Sequence, residues 1–227
     1  MCYASGSVIA LKMHMPDTPD LEFFYDCSSP WSYFAFTRIQ PMAAEFGVPI
    51  RWRPILVGGV FNAVNQELYA AREAMFQGEN PRRLNYYLKD MQDWANLCGL
   101  ELRMPAGHPL NSVKAMRGAL YAQELDLLAA YSRAVFATYW CSDNPDISDD
   151  AVLTDICASI GLDTQGFFAA IHDQAYKDRL RANTDELIER GGFGSPTIFI
   201  DGDDMYFGND RLPLVEARLR QKQKSGP

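Results

Sequence analysis

A chain of 227 residues with 48% hydrophobic and 12% aromatic content can fill the core of one large domain, or of a small domain with a second inserted, and is too apolar for a disordered segment. Its formal net charge of -8, with no basic cluster beyond the tail Arg218 to Lys224, gives no footprint for nucleic acid, and no apolar run reaches the length of a membrane span. Five cysteines, at positions 2, 27, 98, 141 and 157, make neither a C-x-x-C pair nor a metal-ligand cluster, so reduced thiols and no metal are expected.

Residues 1–20 read as a loose leader: the apolar segment Ser7 to Leu11 is too short for a signal peptide and lacks a basic start, so the expected compartment is cytoplasmic. Leu21 to Tyr25 is a short apolar, aromatic run of strand type. After Asp26-Cys27-Ser28, Ser29 is placed to cap a helix with Pro30 in its first turn, and Tyr33 to Phe46 keeps helical spacing. A turn at Gly47 to Pro49 leads into a second strand, Ile50 to Pro54, completing a parallel, right-handed βαβ unit.

From Asn62 to about Gly191 the apolar residues recur at helical spacing. Leu84, Tyr87, Leu88, Met91, Trp94, Ala95 and Cys98 make one stripe, and Leu153, Ile156, Cys157 and Ile160 another; both read as core. Ser148 is the expected cap of the second helix and Gly161 its stop. The period then returns to two: Thr197 to Ile200 and Met205 to Phe207 flank Asp201 to Asp204 as a hairpin. Asn209 is the expected cap of a last helix over Asp210 to about Gln221, which would turn Leu212, Leu214, Val215 and Leu219 to the sheet. The layout is a small mixed sheet interrupted by a helical insertion.

Three features meet on one edge of such a sheet. Ser29 sits at a helix start; locally it is an ordinary cap, and chemically it is a hydroxyl at a positive helix end suited to a thiolate. In Gly194-Ser195-Pro196-Thr197 a proline enters a strand, either at an edge or through a cis bond. In Phe207-Gly208-Asn209-Asp210-Arg211 a strand ends in glycine; its amides suit a carboxylate and Asp210 an ammonium group. Together they suit a zwitterionic peptide carrying a thiol, a description that glutathione fits.

The order Phe24-Tyr25-Asp26, Ser29-Pro30-Trp31-Ser32-Tyr33, Gly194-Ser195-Pro196-Thr197 and Phe207-Gly208-Asn209-Asp210-Arg211-Leu212 resembles the 2-hydroxychromene-2-carboxylate isomerase family, related to the kappa-class glutathione transferases within the DsbA-like thioredoxin group. The resemblance covers about residues 21 to 220. It implies an α/β, thioredoxin-like fold (βαβ…ββα) over 21–61 and 192–222, with an inserted all-helical domain over 62–191.

The resemblance also implies glutathione as cofactor, a small aromatic substrate and a homodimer. By this resemblance Ser29 is the catalytic hydroxyl that stabilises the glutathione thiolate, and Trp31, Ser195, Pro196, Phe207, Gly208, Asn209 and Asp210 fall at glutathione contacts. Asn62 stands where the compared isomerases have lysine, Asn65 matches an asparagine nearby, and His108 falls at a tyrosine near the substrate. Ser29 and Ser32 occupy the two cysteine positions of a thioredoxin, so dithiol exchange through that pair is excluded. The rival expectations are a kappa-class-like transferase that retains its conjugate, a DsbA-like oxidoreductase working through Cys27, and a non-catalytic glutathione-binding module. His14 and His172 receive no role, and Asn111-Ser112 reads as a helix cap.

Overall fold

The computed structural model of the protein describes residues 18–225 except 106, 142 and 144. Most of the expected leader, with Cys2 and His14, lies outside the described residues. Strand β1 (Leu21–Tyr25) is followed by helix α1 (Pro30–Phe46) and strand β2 (Ile50–Pro54). β1 and β2 pair in parallel, from Leu21 opposite Ile50 to Tyr25 opposite Pro54, and the helix between them is the crossover that a parallel pair needs. Strands β3 (Thr197–Ile200) and β4 (Asp204–Phe207) complete an antiparallel half, giving the order β2-β1-β3-β4.

Among the described residues eight helices connect β2 to β3: α2 (Val57–Val64), α3 (Gln66–Phe76), α4 (Pro81–Cys98), α5 (Val113–Glu124), α6 (Leu128–Trp140), α7 (Asp150–Ser159), α8 (Thr164–His172) and α9 (Gln174–Glu189). A 3-10 turn (Asn209–Arg211) and α10 (Leu212–Ser225) close the chain.

The whole of β1 is buried because both faces of the sheet are covered. Leu21, Phe23 and Tyr25 join the main core with residues of α1, α5, α6 and α10, whereas Phe24 packs into a second core with Ile55, Val60, Leu187 and Phe199. Leu187 comes from α9, so the last helix of the insertion lies on the sheet itself, where Asn183 Nδ2 also donates to the Pro54 carbonyl at 2.9 Å. Alternation along β1 turns Glu22 to this second face, and a buried carboxylate needs a cation. Arg190 provides it at 2.7 Å while lying 3.8 Å over the Phe199 ring.

Two polar contacts fix the helical block to the end of β1. Trp140 Nε1 donates to the Cys27 carbonyl at 2.8 Å, and the Tyr25 and Ser132 hydroxyls share a 2.6 Å hydrogen bond. Both involve buried groups, so each satisfies a polar atom that would otherwise be orphaned. α5 and α8 approach closely over Gly118, where a Cβ would lie 2.2 Å from the Phe167 ring.

Four local expectations are corrected. α7 is capped by Asp149, whose side chain accepts from the Ala151 amide, while the Ser148 amide turns back to Asp146 Oδ1 at 2.8 Å. Leu88 is 41% exposed and only Met91 and Ala95 of the first stripe are buried, because α4 packs along one edge against α1 and α3. Leu214 is 54% exposed, although Leu212, Val215 and Leu219 are in the core as expected. Asn209 does not cap α10: its carbonyl and Oδ1 both accept from Arg38 Nη1, at 2.9 and 3.0 Å, and α10 starts only after the 3-10 turn.

Candidate active site

Ser29 opens α1 in an extended conformation, with φ at -99°, and its Oγ accepts from the Ser32 amide at 3.2 Å. Pro30 follows at the first helical position, where a missing N–H costs nothing. The Ser29 hydroxyl donates to the Ser195 carbonyl at 3.0 Å. Behind it, the Ser32 and Ser195 hydroxyls are 2.7 Å apart, and Ser195 Oγ accepts from the Asp26 amide at 3.0 Å. Ser32 is fully buried and serves to hold Ser195 against the start of α1.

Asp26 carries the joint of the site. Its Oδ1 accepts from the Ser28 amide at 2.9 Å, and its Oδ2 accepts from the Val57 amide at 2.9 Å and the Ser112 hydroxyl at 3.1 Å. Leu56, the residue before α2, has no side chain able to cap that helix, and Asp26 supplies the acceptor from the end of β1. One carboxylate therefore ties the starts of α1, α2 and α5. Burial pushes its pKa up, against the lowering effect of these hydrogen bonds.

Around this joint lies a cavity of about 680 Å³. Asp26, Ser28, Ser29 and Ser195 form its floor, Val57 to Gly59 and Phe61 of α2 one wall, and residues of α3 and the segment 108–113 the others. Phe61 and Tyr69 pack at 5.7 Å between ring centres, and Phe76 meets His108 at 6.1 Å, so the walls are aromatic. Such an apolar cleft with a few convergent polar groups is the usual form of a small-molecule site.

His108 Nδ1 lies 2.8 Å from the Tyr139 hydroxyl, and the Leu110 amide donates to the same hydroxyl at 3.0 Å. Burial, and secondarily the charge of Arg72, lower the His108 pKa from 6.5 to about 4. The ring is neutral at pH 7 and serves as a hydrogen-bonding group, not as a cation. Between pH 6.5 and about 4 the unfolded chain binds a proton that the folded protein excludes, so the stability contributed by this residue falls as pH falls through that window. The His108 ring protons should titrate near pH 4 in a series of NMR spectra; a midpoint of 6 or above would contradict the burial of the ring.

Of the residues expected at the site, Ser29, Ser195 and His108 line this cavity. Pro196 lies directly behind it: the Ser195–Pro196 bond is cis, and the Pro196 carbonyl accepts from the Gly208 amide at 3.0 Å. Phe207 packs on Phe193 at 4.5 Å and closes over Gly194, where a Cβ would meet its ring at 2.5 Å. Gly208 has a φ of +104°, open to glycine, and a Cβ there would meet Asp210 Oδ1 at 2.6 Å. Trp31 packs edge-on against Phe34 and Tyr87, and the Asn209 side chain is committed to Arg38.

Asp210 is exposed, paired with Arg211 at 2.8 Å, and outside the lining. Asn62 and Asn65 lie outside it as well: one residue past Phe61 the helix has turned by about 100°, leaving Asn62 exposed, and Asn65 Nδ2 donates to the Phe193 carbonyl at 3.1 Å. Sequence reasoning assigned no role to Asp26, Ser112 or Arg72 in this cavity. The spacing Asp26-x-Ser28, which makes a local side-chain turn, was a signal for the first; the other two depend on tertiary packing.

Cys27 does not reach the site as a nucleophile. It is buried, and burial, reinforced by the nearby Asp26 charge, pushes its pKa well up. Among the described residues no group of three or more His, Cys, Asp or Glu side chains is arranged to hold a metal, and no helix is long and apolar enough to cross a membrane.

Residues 20–220 match the family model of the DSBA-like thioredoxin domain. The chain is 32% identical to a 2-hydroxychromene-2-carboxylate isomerase from Pseudomonas putida, over 88% of this chain and 93% of the relative. It is 27% identical to glutathione S-transferase kappa 1 from Caenorhabditis elegans, over 92% and 94% respectively. A solved 2-hydroxychromene-2-carboxylate isomerase superposes with a TM-score of 0.75 and 29% identity, over 90% of this chain and 96% of that one.

Proposed function

Because the chain belongs to the DSBA-like thioredoxin domain family and to the 2-hydroxychromene-2-carboxylate isomerase family, we propose that it is a glutathione-dependent isomerase of an aromatic catabolic intermediate. The observation that carries the reading is the Ser29 hydroxyl, held at the start of a 17-residue helix on the floor of an aromatic cavity. The donor there suits glutathione: a hydroxyl at the positive end of the helix dipole favours a thiolate. When bound, glutathione supplies a thiolate able to add reversibly to an unsaturated carbon, which frees a double bond to rotate.

The chain's own part is positioning. The Ser29 hydroxyl donates a hydrogen bond to the Ser195 carbonyl, and turning about its Cβ–Oγ bond redirects that hydrogen bond to a thiolate in the cavity. Ser32 and the Asp26 amide hold Ser195 so that this alternative acceptor stays in place. Neutral His108 offers a hydrogen bond to a substrate oxygen, and Phe61, Tyr69 and Phe76 enclose an aromatic ring. In this reading residues 21–61 and 192–222 form the thioredoxin-like part, the insertion 62–191 supplies the outer walls, and the protein works as a cytoplasmic homodimer.

The kappa transferase relatives favour one alternative, in which the conjugate is released as such. Calorimetry with glutathione, followed by an absorbance assay on 2-hydroxychromene-2-carboxylate and a mass measurement for conjugate, separates the cases. Saturable binding and isomer without conjugate are expected; no binding at millimolar glutathione overturns the reading. Since Asp210 is half exposed and already paired with Arg211, Asp210→Ala should weaken glutathione binding by only about 1 kcal/mol if it meets the ammonium group. An unchanged dissociation constant removes it from the site.

A further inference from the structure

We propose that Arg72 holds the carboxylate of the substrate, making the cavity selective for planar aromatic acids. This rests on the isomerase reading and names, for that same site, the residue that sets the substrate class.

Arg72 is the sole lysine or arginine along the cavity lining among the described residues. The carboxyl and imidazole groups there are Asp26, Glu73 and His108; two are acids, and the third is neutral at pH 7. The guanidinium lies 5.9 Å from the Phe61 ring and 5.7 Å from the Tyr87 ring, and Nη2 meets the Tyr87 hydroxyl at 3.1 Å. These contacts orient it without neutralising it. No Asp or Glu of the described residues pairs with it, although the chain carries a net charge of -8 and Arg51, Arg53, Arg179 and Arg190 each have a carboxylate partner. The hydrogen bond to Tyr87 uses one of five N–H donors.

A half-buried arginine with a neutral partner and free donors is one half of an ion pair, and its planar fork matches a carboxylate. Phe61, Tyr69 and Phe76 stand beside it and define the shape of what the carboxylate is attached to. Arg72 and His108 line the same cavity, so both groups face the space a substrate would fill. The neutral Asn62, exposed beyond the cavity wall, offers no charge for this purpose. The cavity therefore has two positive poles, the start of α1 beneath Ser29 and Arg72 on α3. The first suits a thiolate and the second a carboxylate.

The test uses ligands that differ only in charge. Binding of cinnamate and of cinnamamide is followed by tryptophan fluorescence in the wild type, Arg72→Gln and Arg72→Lys, with glutathione affinity measured alongside. The wild type should prefer the acid by about thirtyfold, the Gln variant should lose that preference with glutathione binding unchanged, and the Lys variant should recover part of it. For 2-hydroxychromene-2-carboxylate, Arg72→Gln should raise KM by a similar factor and change kcat little.

Equal binding of acid and amide by the wild type, no binding of either in the millimolar range, or a preference that survives in Arg72→Gln overturns the assignment. A wild type that prefers the acid through Arg72 yet does not isomerise the carboxylate substrate overturns the isomerase reading and leaves Arg72 as an anion anchor.

Discussion

Ser29→Ala is expected to lower turnover ten- to a thousandfold, the scale of losing one preorganised donor at a reacting centre, while glutathione affinity stays within a few-fold of the wild type. The separation follows from the geometry. Ser29 contributes one hydroxyl, and the dipole of α1, the Ser195 backbone and the cavity walls remain in the variant. The hydroxyl matters most when it can give its proton to a thiolate, which happens only after the 3.0 Å bond to Ser195 is exchanged. The variant also removes the helix cap, at about 1 kcal/mol of stability, so turnover is to be compared at equal folded fraction. A steady-state assay with a parallel calorimetric titration reads both quantities. Equal turnover in both proteins would show that Ser29 is only a cap, and loss of binding together with turnover would make it a binding residue.

Residues 21–54 were legible because each boundary is set by local chemistry. An apolar run makes β1, Ser29-Pro30 starts α1, and Gly47 ends it with a φ of +65° and backbone N–H hydrogen bonds back to the Ala43 and Ala44 carbonyls. The last hairpin was legible for the same reason. The helical block was legible as helices but not as faces. Trp94 lies under the Arg38 guanidinium and Leu88 faces water, since a stripe at helical spacing does not say how much of it a neighbour will cover. The role of Asn209 was hidden because its partner, Arg38, is 171 positions away. At the site, Ser29 and Ser195 announced themselves through helix-start and strand-entry patterns, whereas Arg72 became visible only once α3 had closed the cavity opposite them.

Asp26→Ala is expected to destabilise the protein by about 3 kcal/mol and to lower Tm by roughly 6–12 °C. The variant leaves the Ser28 amide, the Val57 amide and the Ser112 hydroxyl without their common acceptor, and each orphaned donor costs about 1–3 kcal/mol where water cannot replace it. Opposing this is relief from holding a buried carboxylate whose pKa burial has already raised. The three orphaned donors together cost about 3–9 kcal/mol and the relief offsets part of that, so the balance is a loss. Asp26→Asn keeps the shape and one acceptor oxygen but turns an amide N–H toward one of the donors, and should fall between the other two proteins. Urea unfolding of all three at pH 7 measures the difference. The same loss should reach activity beyond the folded fraction, because the starts of α2 and α5 that Asp26 joins carry Gly58, Gly59 and Ser112 to the cavity. An Ala variant with the wild-type urea midpoint would mean that water or a shifted backbone satisfies all three donors, and that the joint is held by Trp140 and the packing of Tyr25 instead.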